Sequence, residues 1–165
     1  MTKQEKSRAY RVKAMMHRFF SLYEVKNTDF SLVRELLYED GFEWLSPSGN
    51  LIGINAFEDS FNQLNKAWGH SHRPFEMTVK LIDDTRAELS FNYIYQHVQD
   101  ENIVLHAKGH YDIKCVDNGE KFPRIQKCDL QLLEMIEVGG FIDMYDMNNT
   151  LYNDYMLKSE QITKL

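Results

Sequence analysis

After about residue 10, the apolar positions Val12, Met15, Met16, Phe19, Phe20, Leu22 and Tyr23 recur three and four apart. That period gives one broad apolar face and predicts a first helix. Asn27, Thr28 and Asp29 supply capping side chains ahead of Phe30, Val33, Leu36 and Leu37, which predicts a short second helix. The run Gly41-Phe42-Glu43-Trp44-Leu45 is rich in strand formers and is closed by the turn-like Ser46-Pro47-Ser48-Gly49-Asn50, so it reads as a strand entering a hairpin. Ile54, Phe57, Phe61, Leu64 and Trp68 again repeat at helical spacing, and Gly69 stands where a helix commonly stops.

From Pro74 the period changes to two, with Met77, Val79 and Leu81 alternating against Glu76, Thr78 and Lys80. A second strand run alternates Ala87, Leu89, Phe91, Tyr93, Tyr95 and His97 against polar neighbours and ends in the turn Gln99-Asp100-Glu101-Asn102. A third places Ile103, Leu105, Ala107, Gly109, Tyr111 and Ile113 against His106, Lys108, His110, Asp112 and Lys114. A hairpin register with Phe91, Tyr93 and Tyr95 on the same face as Leu105, Ala107 and Tyr111 satisfies both runs, whereas a one-residue slip mixes the faces. Asp117-Asn118-Gly119 is a turn signal, and residues 124–138 form a last strand-like run with a phase shift near Gln131 that suggests a bulge. From Gly139 the pattern weakens. Leu151, Tyr152, Tyr155 and Met156 fall at helical spacing, and helix, irregular arm and partner-wrapping segment all remain open.

This order of elements makes one α+β domain over residues 1–138, a cone-shaped curved antiparallel sheet wrapped around three N-terminal helices, followed by a C-terminal extension at 139–165 that packs on the domain or on a partner. With 165 residues and 43% hydrophobic composition the chain can bury one substantial core, so a single domain is expected. A net charge of −6 gives no basic field for phosphates, which disfavours nucleic acid. No stretch approaches the roughly 20 apolar residues of a membrane span, and the first ten residues hold no apolar signal core, so a soluble cytoplasmic protein with no membrane partner is expected. Cys115 and Cys128 are too few for a disulfide framework and lack zinc spacing, and they read as reduced core residues.

The stretch from Phe19-Phe20 through Asp29, then Leu36-Leu37-Tyr38-Glu39-Asp40-Gly41-Phe42-Glu43-Trp44 and Gly53, resembles the first elements of the nuclear transport factor 2-like superfamily and its SnoaL-like members. Gly109-His110-Tyr111, Asp117-Asn118-Gly119 and Arg124-Ile125 are similar to the last hairpin of that group, so the resemblance covers about residues 10 to 130. It implies a cystatin-like cone with a pocket, and a homodimer through the outer sheet face. Function stays open, because the group hosts isomerases, dehydratases, cyclases and non-catalytic modules such as dioxygenase small subunits. The ketosteroid isomerase pattern carries over poorly: Ser46 precedes Pro47 where that enzyme has its general-base Asp, Phe20 stands near its oxyanion Tyr, and only Asp112 falls on its second oxyanion group.

The phenols and imidazole of Tyr93, Tyr95, His97 and Tyr111, joined by Tyr23 and Trp44, can line an apolar cavity that offers a few hydrogen-bond donors. Tyr95 and His97 are the expected acid/base pair, with Tyr23, Trp44, Tyr93 and Tyr111 binding the ligand. His110 and Asp112 form the alternative pair if the strand faces are inverted. His106 and His110 lie roughly 13 Å apart by strand rise, too far to chelate one metal, and with Lys108 they read as a solvated outer face or a dimer surface. His70 and His72 read as the end of the third helix or as side chains over the cone's mouth. No metal motif, phosphate-binding glycine loop or Gly-x-Ser-x-Gly elbow is present, so neither a metal nor another cofactor is expected. Two functions are therefore expected in competition. One is a SnoaL-like protein that binds a small apolar organic molecule and acts as a cofactor-independent isomerase or lyase; the other is a non-catalytic binding or assembly module.

Overall fold

The computed structural model describes residues 1–25, 27–67, 69–99 and 102–136, with the side chains of 64–67, 70, 98–99 and 102–105 left aside. Trp68, the turn residues Asp100 and Glu101, and the extension with its Leu151, Tyr152, Tyr155 and Met156 lie outside the described residues.

Helix α1, Lys3–Tyr23, begins seven residues before its apolar stripe because Thr2 and Glu5 form a reciprocal capping box. Its polar first half is used. Arg8 and Arg11 reach the buried carboxylate of Asp117 at 3.5 and 3.3 Å and donate to the carbonyls of Asp83 and Glu120, which ties α1 to two strand connections. Helix α2, Phe30–Arg34, is capped by Asp29 and is shorter than the spacing predicts. Leu36 and Leu37 are buried, but as an extended segment: Leu37 bridges Ile125 in parallel, and Tyr38 N–H and the Leu36 carbonyl bond the Ile125 backbone, both at 2.8 Å.

Strands β1, Glu43–Ser46, and β2, Gly49–Ile52, form the expected hairpin around Pro47-Ser48, where Gly49 takes a φ of 141°. Helix α3, Ile54–Ala67, follows directly. Four long strands complete the fold: β3 Gly69–Leu81, β4 Arg86–Gln99, β5 Asn102–Val116 and β6 Arg124–Met135. The sheet order is β2-β1-β6-β5-β4-β3. The expected all-antiparallel sheet is corrected in one place. β1 pairs parallel with β6, so the curved six-stranded sheet is mixed.

The β4–β5 register places Phe91 opposite Tyr111, Tyr93 opposite Gly109 and Tyr95 opposite Ala107, on the shared inner face that the two alternations require. In β6 the extra residue falls at Leu133, two positions beyond the expected phase shift, and a second bulge falls at Gln126. Strand β3 starts five residues earlier than its alternation indicates, because Gly69, read as a helix stop, already pairs with Val98. The inner face and the helices share an aromatic core centred on Phe57, whose ring lies 4.8 Å from Trp44, 5.5 Å from Phe42 and 6.1 Å from Tyr23. Cys115 and Cys128 are free thiols buried within the core.

Candidate functional site

A cavity of about 470 Å³ opens on the inner side of the sheet. Its floor and one wall are Tyr23 at the end of α1, Trp44 of β1, Phe57 of α3, Tyr93 and Tyr95 of β4 and Tyr111 of β5. Ser46, Pro47, Ser48 and Gly49 of the β1–β2 hairpin and Ser60 of α3 also line it. His97 also lines it, with its ring 6.4 Å from that of Tyr95. The structure thus gathers Tyr23, Trp44, Tyr93, Tyr95, His97 and Tyr111 around one space.

His72 was read either at the end of the third helix or over the cone's mouth; the structure corrects the helix end, placing it on β3 opposite Tyr95, where it lines the cavity. A bulge turns it inward. Between Phe75 and Thr78 the strand carries one extra residue, with Glu76 at a φ of 56°, so the inward set changes from even numbers before the bulge to odd numbers after it. The His72 ring stacks on Phe20 at 4.6 Å and 14°, and its centroid lies 4.8 Å from Tyr95 and 5.7 Å from Tyr93. Glu24, the C-cap of α1, accepts from the His72 backbone N–H and meets its Nδ1 at 3.1 Å.

The chemistry of that pair follows from burial. The His72 side chain is 4% exposed and that of Glu24 23%. Desolvation holds the imidazole below its ordinary value of 6.5, against the hydrogen bond and charge of Glu24, so it is neutral at pH 7. A carboxylate only accepts, so neutral His72 donates from Nδ1 and its Nε2 is the basic nitrogen. Burial raises the four phenols as well, Tyr95 to about 12 and Tyr23, Tyr93 and Tyr111 also upward, so each remains a protonated donor. Among the described lining residues no Lys or Arg occurs. Burial pushes the Cys128 thiol well above its ordinary range, which disfavours the thiolate.

His110 and Asp112 lie on the opposite face of β5 from Tyr111, so the inverted reading of the faces does not arise. His110 bonds Ser90 at 3.0 Å, Asn92 at 2.8 Å and Asp112 at 3.3 Å. His106, read as part of a solvated outer face or a dimer surface, is not solvated: it is 1% exposed, and its burial lowers its pKa. Two neighbouring rungs cross this outer face from β3 to β6. One is Thr78-Ser90-Asp112-Asp129 and the other Lys80-Glu88-Lys114-Lys127, and together they line a groove of about 540 Å³. Lys127 also binds Glu43 at 2.5 Å. The described residues hold no cluster of three or more His, Cys, Asp or Glu able to bind a metal, and no helix among them is long and apolar enough to cross a membrane.

Sequence reasoning missed Glu24 and did not count His72 among the site residues. Glu24 had one signal, a carboxylate at the C-terminal end of a helix, where the dipole disfavours it and a specific partner is needed.

No protein-family model matches the chain, and no curated protein matches it. Solved structures do. A candidate scytalone dehydratase from Novosphingobium aromaticivorans superposes with a TM-score of 0.73 at 14% identity, covering 84% of this chain and 92% of that one. A nuclear transport factor 2-like superfamily protein from Salmonella enterica gives 0.69 at 13% identity, over 82% and 97% of the two chains. A candidate dehydratase of the same group from Streptomyces avermitilis gives 0.66 at 10% identity, over 78% and 99%. At these identities the likeness establishes architecture: the chain has the nuclear transport factor 2-like, cystatin-like α+β fold.

Proposed function

We propose that this chain is a SnoaL-like small-molecule-binding protein that catalyses a cofactor-free proton transfer, isomerisation or dehydration, on an uncharged, largely apolar organic substrate. The observation that carries this reading is His72, held by Glu24 and lining one cavity with four phenols. His72 Nε2 takes a proton from the carbon next to a carbonyl, and Glu24 supports the resulting imidazolium. The carbonyl oxygen becomes an enolate oxygen that accepts hydrogen bonds from the phenols, with Tyr95 the nearest candidate. Return of the proton to another carbon isomerises the substrate; loss of a β-hydroxyl with that proton releases water. The base role falls to His72 rather than His97 because His72 has an orienting carboxylate and sits among the tyrosines. The dehydratase descriptions of two structural neighbours are compatible with this chemistry.

The test is a thermal-shift panel of uncharged planar and polycyclic ketones and phenols, with Trp44→Ala as pocket control, followed by turnover assays on the compounds that bind. A ligand at a hundred times its Kd stabilises the fold by about 2.7 kcal/mol. His72→Ala is expected to keep binding and to lose about 10² to 10⁴-fold in turnover. Undiminished turnover in that variant removes His72 as the base, and binding without turnover of any compound by the wild type removes the enzyme reading.

A second copy of the chain is the proposed partner for the outer face. A twofold axis parallel to the two rungs and midway between them lays Asp112 over Lys114 of the other copy and Asp129 over its Lys127, so the surface is complementary in charge to itself.

A further inference from the structure

Gly109 lies mid-strand in β5, directly opposite Tyr93. Its backbone does not require a glycine, since the glycines with positive φ are Gly41, Gly49, Gly53 and Gly119. A glycine inside a strand with ordinary geometry weakens the strand and points to a close approach by another group. Here the approaching group is the phenol of Tyr93. A Cβ on Gly109 would stand 2.2 Å from the Tyr93 hydroxyl oxygen, 2.3 Å from Cζ and 2.4 Å from Cε1. The far end of the ring therefore lies against the Gly109 Cα, in the space a side chain would fill. Tyr93 is 3% exposed, with its ring 4.7 Å from that of Tyr111 and 5.7 Å from that of His72, so neighbours hold it on the other sides. Any β-carbon at 109 would drive the hydroxyl off the sheet, toward the cavity that Tyr93 lines.

We infer that Gly109 is a specificity-determining positioning residue: it seats the Tyr93 phenol against the sheet and thereby sets the depth available to a flat, uncharged aromatic guest. The inference rests on the small-molecule reading above and adds the class and size limit of the guest. The same strand places Ala107 opposite Tyr95, so β5 presents small residues across from both tyrosines of β4.

The test uses the full chain labelled with 3-fluorotyrosine and followed by ¹⁹F NMR, with the Tyr93 line assigned from Tyr93→Phe. In Gly109→Ala that line is expected to shift, and an unmoved line in the folded variant overturns the inference whether or not any ligand binds. Phenol and 2-naphthol then serve as a small and a large flat probe by fluorescence titration. Gly109→Ala is expected to weaken 2-naphthol by about tenfold or more and to leave phenol nearly unchanged. The double variant Gly109→Ala/Tyr93→Leu should regain 2-naphthol. Equal affinities in wild type and Gly109→Ala overturn the specificity role. If the wild type binds neither probe nor any compound of the panel, the small-molecule reading fails and the specificity role with it, while the NMR shift still decides the seating of Tyr93. If Gly109→Ala does not fold, recovery of folding in the double variant supports the clash with Tyr93, and failure of both variants overturns it.

Discussion

At the scale of single residues, His72, His97 and His106 share one electrostatic condition: burial holds each below the ordinary histidine value of 6.5. The folded chain thus keeps them neutral where the unfolded chain takes up protons. Their contribution to stability is complete above about pH 6.5 and is lost as the pH falls through that value toward the lower folded-state values. Urea melts between pH 8 and pH 5 should show a declining midpoint, and His97→Asn with His106→Asn should flatten the decline. Glu24 opposes the depression at His72, so Glu24→Gln removes its charge and should move the His72 titration to lower pH, as read from its ring-proton NMR signal. An unmoved titration would mean that the 3.1 Å contact carries no coupling. Phe20 shows why single positions matter. Read against an isomerase it lacks a hydroxyl, yet its ring is the surface on which His72 stacks.

At the scale of elements, the β3 bulge decides that His72 enters the cavity. Glu76 holds its left-handed φ of 56° as a non-glycine and bonds Asn92 at 2.8 Å. Glu76→Gly should therefore be tolerated, whereas the β-branched Glu76→Val should cost about 1–2 kcal/mol in urea unfolding, since a branched Cβ clashes most in that region. Equal stability of the two would show that the bulge relaxes without strain. The same bulge explains what could be read from the residues alone. Helical faces and the β4–β5 register were legible because each follows from local period, and the six cavity residues from Tyr23 to Tyr111 came with them. Extending the phase of Met77, Val79 and Leu81 backward points His72 outward, and the Gly69-His70-Ser71 segment carries no strand signal of its own. The parallel β1–β6 pairing was equally hidden, because it joins segments about 80 residues apart with no local pattern to announce it.

At the scale of the whole molecule, the two charged rungs make the proposed pairing testable without a ligand. Asp112→Lys sets a lysine against Lys114 of the other copy and Lys114→Asp sets an aspartate against its Asp112, so each variant alone should sediment as a monomer, and an equimolar mixture should recover a dimer of twice the 19.6 kDa chain. Monomeric wild type at micromolar concentration, or a mixture that stays monomeric, removes the outer face as a self-association surface. A separate consequence belongs to β6, which sits between β5 and β1 and also receives the backbone bonds of Leu36 and Tyr38. Until that strand has left the ribosome, the first hairpin has no neighbour within the sheet beyond itself, and the wall carrying Trp44 has nothing to stand on. The β3–β5 meander can form as its strands emerge, by contrast, since its strands follow one another in the chain. Synthesis thus passes through a stage in which half of a sheet waits for its last member, with the aromatic faces of the helices exposed to whatever the nascent chain meets.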